Sequence, residues 1–283
     1  CAANIAFGLG VLGLNPVLIA AVGKDWVDYE SWLTRHGVIT SHVLVSETLH
    51  TALYMVTTDT ELNQIASFFP GAMSEARNIE LDPIMDKTGV FDLVIISPDD
   101  PDAMLRHTEL CRSRGIPFAA DPSQQMARMD GDAIKQLIDG ATYLFMNEYE
   151  LALAIQKTGW SDSEILNRVK TRVVTLGSNG AQVERVGREK VVVGVPQEDA
   201  KIDPTGVGDS FRSGFLAGVA WGLSDERCAQ LGSMIATYVI ETKGTQEYRF
   251  TRETFLDRFK TAYGGAAASD IATHVARITT APQ

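Results

Sequence analysis

The residues best suited to chemistry lie together in Asp203-Pro-Thr-Gly-Val-Gly-Asp209, directly ahead of a long apolar run. Gly206 and Gly208 bracket a single residue. Glycines there permit a tight turn whose successive N–H groups point into one concavity. A helix beginning near residue 208 adds roughly half a unit of positive charge at its N-terminus. Together these make an anion hole suited to a phosphoryl group in transfer. Asp209 sits inside the same turn, where it can act as a base on a hydroxyl while the amides hold the phosphate which that hydroxyl attacks. A purely structural reading stands beside this one. In it Asp203 is a turn residue before Pro204, Asp209 complements the helix dipole, and Gly214 and Gly218 allow close helix packing. A lone glycine motif does not choose between the two.

Asn147-Glu-Tyr-Glu150 reads from its own residues as a helix start. Asn147 suits a helix N-cap, with Glu150 at the third helical position completing a capping box. Arg212, one helical turn past the glycine motif, has the reach to meet phosphate but fits a surface charge equally well. The five histidines (36, 42, 50, 107 and 274) have neither metal spacing nor a triad context. No GxxxxGK[ST] motif is present, which excludes a Walker-type ATPase as the simple reading.

The elements that must position these residues follow from the hydrophobic pattern. Short, continuously apolar runs at 92–97, 116–120, 143–146 and 173–176 suit strands buried on both faces. Helical candidates lie between them at 101–114, 131–138, 148–157 and 162–170. This alternation implies βαβ units, a parallel sheet and covering helices. Ahead of them, 2–12 suits a helix, 17–22 a strand, and 28–36 a short helix ended by Gly37. Residues 42–46, 52–57 and 64–69 are β-like with no room for crossover helices. They are expected to be antiparallel strands forming a small lid over about 42–69. Residues 181–186 and 190–195 suggest a hairpin through Gly187. Helices are expected at 208–221, 225–242 and 252–263, with a weaker helical pattern at 269–278. With no repeat or linker, the chain is expected to be a single α/β domain, 1–283, with this appendage.

Composition narrows the partners. Lys and Arg total 25 against 36 Asp and Glu, a net charge of −11, which disfavours nucleic acid. Apolar residues at 45% and charged residues at 22% belong to a globular protein. Three cysteines (1, 111 and 228) make no disulfide framework and suit a reducing cytosol. No run of 18 apolar residues indicates a membrane span, so a cytoplasmic location is expected. The chain opens CAANIAFGLG, without Met, and is expected to lack its true N-terminus.

The full string DPTGVGDSFRSGFLAG resembles the C-terminal signature of the ribokinase-like (PfkB) carbohydrate kinases. Pro204 and Val207 stand where the commoner pattern has Thr and Ala, and neither change removes a needed functional group. Asn147-Glu-Tyr-Glu150 resembles the family's N-x-x-E motif. Val174-Thr-Leu-Gly-Ser-Asn-Gly-Ala181 resembles its nucleotide-side strand and loop. Asn4 fits the Asn that follows a Gly-Gly pair in the N-terminal signature. The resemblance implies a three-layer α/β/α sandwich with a mostly parallel sheet and a small β lid. It implies Asp209 as catalytic base, with the amides of Gly206, Val207, Gly208 and Asp209 stabilising the transferred phosphoryl. ATP would lie along Asn147, Thr175, Leu176, Gly177, Ser178, Asn179, Gly180 and Gly208. Mg²⁺ would be organised through water by Asn147 and Glu150. A K⁺ site near Asp203 and Thr205, completed by carbonyls around Gly244, occurs in many members.

Within the family the likeness is to adenosine kinases of bacteria. It is carried by Tyr54 and Phe68, by Ser67-Phe-Phe-Pro-Gly-Ala-Met-Ser-Glu-Ala-Arg77, and by Asp121-Pro-Ser-Gln-Gln125. Two aromatic rings can sandwich a flat purine, although aromatics are common on strands for packing alone. Gln124 and Gln125 would read a purine edge or fix the lid, and Asn4 would bond sugar hydroxyls. The implied reaction is ATP-dependent phosphorylation of the adenosine 5′-hydroxyl, giving AMP and ADP in purine salvage. The alternatives are a kinase for ribose, fructose or a sugar acid, and a nucleotide-binding fragment without activity. The last arises because the family's first strand, with an Asp that grips ribose, and the Gly-Gly pair would precede Cys1. Members often dimerise through the lid strands, and 42–69 expose edges suited to such pairing.

Overall fold

The computed structural model describes residues 1–61 and 63–275. In chain order the elements begin with α1 (Ala2–Val11), β1 (Ala21–Val22), α2 (Val27–Arg35), β2 (Leu44–Val45), β3 (Leu53–Thr58) and β4 (Gln64–Phe69). Next come α3 (Asp82–Thr88), β5 (Val94–Ile96), α4 (Pro101–Arg114), β6 (Phe118–Ala120), α5 (Gly131–Ile138) and β7 (Tyr143–Asn147). Then follow α6 (Glu148–Thr158), α7 (Asp162–Asn167), β8 (Thr171–Thr175), β9 (Ala181–Glu184) and β10 (Val191–Val193). The last are α8 (Val207–Ala220), α9 (Asp225–Ile240), α10 (Arg252–Tyr263) and α11 (Gly265–Ile271). Two compact units result. One holds Cys1–Gly71, Ser178–Gly180 and the described chain from Val193 onward, and the other holds Ala72–Gly177 and Ala181–Val192.

The six-stranded sheet has the order β10-β9-β8-β7-β6-β5. Strands β5 to β8 are parallel, and β9 turns back antiparallel to β8. Parallel neighbours need a crossover. Here α4 joins β5 to β6, α5 joins β6 to β7, and α6 with α7 joins β7 to β8. Continuous apolar strands are what burial on both faces demands: Phe118, Ala119, Leu144, Phe145, Val173 and Val174 are all buried. Met104, Cys111, Ile134 and Leu137 from α4 and α5 pack with Leu144 and Met146 in the core of this unit. Helix starts are locally encoded. Asp100 caps α4 ahead of Pro101, its carboxylate accepting from the Ala103 N–H at 3.2 Å, and Gly115 ends that helix at φ +67.

The other unit is mostly helical. Phe7, Leu12, Leu33, Met234, Ile235, Phe255 and Phe259 form its core. A Cβ added at Gly214 would lie 2.5 Å from the Leu231 carbonyl oxygen, and one at Gly218 would lie 2.9 Å from Cys228 Cα. Both glycines therefore let α8 and α9 approach closely. Gly8 of α1 likewise has no room for a Cβ beside Ser213 of α8. Among the described residues no helix is long and apolar enough to cross a membrane.

Several expected boundaries shift. The strand expected at 17–22 is formed only at Ala21–Val22, with Val17 making a single parallel bridge to Ile39. The stretch 42–46 does not join an antiparallel lid: β2 pairs in parallel with β1, with α2 as the crossover between them. Only β3 and β4 form an antiparallel hairpin. The helix expected at 162–170 ends at Asn167, and α11 begins earlier than the 269 start expected for the last helix. Residues 276–278 of that expected helix lie outside the described residues. Helix α3 and the 3₁₀ stretch Gly71–Asn78 had no clear apolar period to announce them.

Candidate active site

Gly206 occupies the N-cap of α8 at φ +82, ψ −1. That left-handed conformation favours glycine, and a Cβ here would also press on Thr245 Cγ2 at 2.8 Å. Val207, Gly208 and Asp209 form the first helical turn. Helical geometry leaves the N–H groups of that turn without intrahelical acceptors, and Val207 N–H makes a long bond of 3.4 Å to the Pro204 carbonyl just before the helix. The loop before it is tied by Asp203, whose Oδ1 accepts from the Thr205 N–H at 2.9 Å and whose Oδ2 accepts from the Gly244 N–H at 3.1 Å. Burial pushes the Asp203 carboxyl up. The Thr205 hydroxyl and N–H, the Gly244 N–H and the Lys243 charge outweigh it and hold the group below the usual carboxylate range. Arg212 is buried, not a surface charge, and its Nη1 donates to the Gly208 carbonyl at 3.0 Å.

Asp209 meets Asn4, whose Nδ2 donates to Asp209 Oδ2 at 2.7 Å. The two residues are 205 positions apart and are joined by α1 lying beside α8. Asn4 Oδ1 accepts from Gln246 Nε2 at 2.8 Å and from Thr245 Oγ1 at 3.1 Å. Gln246 in turn donates to Tyr29 Oη at 2.6 Å and accepts from Trp32 Nε1 at 2.9 Å. The sequence pointed to Asn4 but to none of Tyr29, Trp32, Thr245 or Gln246. They carry no motif spacing, and a lone Gln or Trp gives no signal of what it will face.

The β3–β4 hairpin approaches the same loop. Gln64 Nε2 donates to Thr205 Oγ1 at 2.9 Å. Tyr54 and Phe68 are directly opposite in the register, so their rings leave the hairpin on one face. Both are open, at 50% and 42% exposure.

In the other unit, Asn147 ends β7 and Thr175 ends β8, paired in register at the C-terminal edge of the parallel strands. Ligands of open α/β sheets gather at this edge. The capping box is present: Asn147 Oδ1 accepts from the Glu150 N–H at 2.7 Å, and Glu150 Oε2 accepts from the Asn147 N–H at 2.8 Å. Glu150 is buried, and its Oε1 accepts from Ser123 Oγ at 3.3 Å. Ser123 has φ +42 and also donates to Gln124 Oε1 at 2.8 Å. Gln125 is buried, and its Nε2 donates to the Asp99 carbonyl at 2.6 Å. Leu176 is half-buried after β8, and the 3₁₀ turn Gly177–Asn179 is exposed. Gly177 is left-handed with open space where a Cβ would stand. Gly180 lies against the Val193 carbonyl, with no room for a side chain. Ser178 and Asn179 complete the turn. Among the described residues no three His, Cys, Asp or Glu side chains cluster as a metal site.

A family model described as pfkB family carbohydrate kinase matches residues 1–251. The chain is 30% identical over 261 residues to a nucleoside kinase of Methanocaldococcus jannaschii, covering 92% of this chain and 84% of that protein. It is similar to the solved structure of Burkholderia thailandensis nucleoside kinase in complex with inosine. The identity is 34% and the TM-score 0.88, covering 94% of this chain and 88% of that one. A ribokinase of Cryptococcus neoformans, 19% identical with a TM-score of 0.74, shares the ribokinase-like α/β fold over 87% of this chain and 83% of its own.

Proposed function

The chain belongs to the pfkB family of carbohydrate kinases, phosphotransferases with an alcohol acceptor, and from that premise we propose that it phosphorylates the 5′-hydroxyl of a purine nucleoside, adenosine first, using ATP. The observation that carries this reading is the Asp209 carboxylate, bonded to Asn4 and standing in the first turn of α8, the turn whose N–H groups have no intrahelical acceptor. In the transfer, the acceptor oxygen bonds to the γ-phosphorus as the bond from that phosphorus to the β–γ bridging oxygen breaks. The hydroxyl proton passes to Asp209. The N–H groups of Gly206, Val207, Gly208 and Asp209 stabilise charge on the moving phosphoryl, which is where such catalysis chiefly acts. AMP and ADP are the products.

The choice of a nucleoside over a bare sugar is supported by the paired rings of Tyr54 and Phe68, on a strand pair bonded to the anion-hole loop through Gln64 and Thr205. Stacking on a base is worth about 1–3 kcal/mol per aromatic. A purine also suits the inosine bound by the Burkholderia thailandensis relative. Asn4 keeps one N–H for a ribose hydroxyl.

ATP would lie along Asn147, Thr175, Leu176, Gly177, Ser178, Asn179 and Gly180, where the strand ends and a side-chain-free Gly177 leave backbone accessible. The donor set fits Mg²⁺ held through water. Asn147 Oδ1 and Glu150 Oε2 are committed to backbone N–H groups, while Glu150 Oε1 has only the long bond from Ser123. When bound, the ion neutralises triphosphate charge. Asp203 and Thr205 are the residues we assign to a monovalent cation, tested by the dependence of rate on K⁺. The exposed apolar side chains of the hairpin, Leu53, Met55, Ile65 and Phe69, suit pairing with a second copy, which light scattering tests.

The deciding experiment is a panel of adenosine, inosine, cytidine, ribose and fructose with ATP and Mg²⁺. Adenosine or inosine should give the highest kcat/KM. Fast turnover of ribose with none of either purine nucleoside overturns the substrate assignment.

A further inference from the structure

We propose that Trp32 and Gln246 are positioning residues, which fix the polarity of a hydrogen-bond relay and so aim the Asn4 amide N–H at Asp209. The inference rests on Asp209 being the base.

The relay has one fixed end. An indole nitrogen can only donate, whereas a primary amide presents oxygen on one side and NH₂ on the other. Trp32 Nε1 donates to Gln246 Oε1 at 2.9 Å, so the oxygen of that amide must face Trp32 and its NH₂ must face away. The two hydrogens of Nε2 are then used on Tyr29 Oη at 2.6 Å and Asn4 Oδ1 at 2.8 Å. Asn4 Oδ1 takes a second bond from Thr245 Oγ1 at 3.1 Å, which fills both lone pairs. Only the NH₂ of Asn4 is left to meet Asp209 Oδ2, at 2.7 Å. Reversal anywhere along this relay would set the Asn4 carbonyl against a carboxylate, a repulsive pair.

The parts are held from separate elements. Trp32 stands on α2, Gln246 follows α9, Asn4 stands on α1 and Asp209 on α8. Gln246 is 8% exposed, so water has little access to replace a lost partner. The Trp32 ring is itself fixed, stacked on Phe7 at 5.9 Å between centroids and 7° between planes. Networks of this kind polarise one another and orient the group at their end. A carboxylate that must meet one hydroxyl is sensitive to its aim, since a 1 Å misplacement can cost on the order of a hundredfold in rate.

Trp32→Phe keeps the stacked ring and removes the N–H, and Gln246→Met keeps the length and removes the amide. With adenosine and inosine as acceptors, each should lower kcat by about tenfold to a hundredfold. KM for ATP should stay within about threefold, with the fold retained by circular dichroism, whereas KM for the nucleoside rises alongside the fall in kcat because the same Asn4 amide is assigned to a ribose hydroxyl. Because both act through the same amide, the double variant should be no slower than the slower single variant. Independent, multiplying effects, a change confined to KM, or rates like the parent protein's would each overturn the proposal. Asp209→Asn is assayed alongside. If it stays active, the base assignment fails first. If it is inactive while Trp32→Phe and Gln246→Met are neutral, only the relay's role fails. Should Trp32→Phe not fold, the split between kcat and KM for ATP in Gln246→Met decides alone.

Discussion

Replacing Asp209 by Asn isolates the base from the architecture around it. The side chain is 15% exposed and accepts the Asn4 N–H at 2.7 Å. Asn has the same shape, and its amide oxygen can take the same bond, so the relay and the first turn of α8 keep their geometry. What is lost is the site that receives the proton from the acceptor alcohol. General-base contributions run from about a hundredfold to ten thousandfold, and each tenfold corresponds to about 1.4 kcal/mol of barrier. Asp209→Asn should therefore raise the barrier by roughly 3–5 kcal/mol. KM for ATP should hold, because the nucleotide is assigned to Asn147, Thr175 and the turn after β8. The assay is initial rate of ADP formation with saturating adenosine, corrected for ATP hydrolysis without acceptor, together with thermal melting. A kcat within threefold of the parent's, with the fold intact, would refute the reasoning. It would leave Asp209 as a complement to the helix dipole and nothing more.

Gly206→Ala combines a left-handed residue at φ +82 with a Cβ 2.8 Å from Thr245 Cγ2. It should destabilise the protein by about 2–4 kcal/mol, read by urea unfolding, and lower kcat by distorting the anion hole. Tyr54→Ala and Phe68→Ala remove half-exposed rings, so melting should barely change. KM for adenosine should rise about fivefold to a hundredfold with ribose turnover unaffected, and equal losses with both acceptors would refute the stacking role. Burial pushes the Asp99 carboxyl up to about 7 from an ordinary 3.8. The native state then holds a proton that the unfolded chain has released, so this contribution is full below about pH 4 and is lost as pH rises through about 7. Asp99→Asn should melt higher than the parent at pH 8, with the gap closing by pH 4. A gap independent of pH would refute the assignment.

Much of this molecule is written in short-range pattern. The runs around Val94–Ile96, Phe118–Ala120, Tyr143–Asn147 and Thr171–Thr175 show themselves because a strand covered on both faces must be apolar throughout. The Asn147–Glu150 capping box is legible because its partners are three residues apart. The turn at Gly206 is legible because its conformation is local. Strand β1 lies inside the strand expected at 17–22, but its two-residue length and its parallel pairing with β2 across a helix are not legible, since two residues carry no period. Neither is α3, whose Asp82-Pro-Ile-Met-Asp-Lys-Thr has too few apolar residues to mark a face.

The site divides along the same line. Asp209, Gly206 and Gly208 can be chosen as candidates from seven consecutive letters, because one helix start sets both the amides and the carboxylate. Which groups hold that carboxylate is decided elsewhere: Asn4 reaches it from 205 positions away, and Gln246 reaches Asn4 from 242. No local rule links an N-terminal Asn, an indole on α2 and a glutamine after α9. Their meeting depends on how α1, α2, α8 and α9 pack, with Gly8, Gly214 and Gly218 permitting the close approach. Helix starts, turns and strand burial are short-range energetics and leave their mark on neighbouring residues. The direction of a buried hydrogen bond belongs to the packed core, where distant side chains first acquire one another as surroundings.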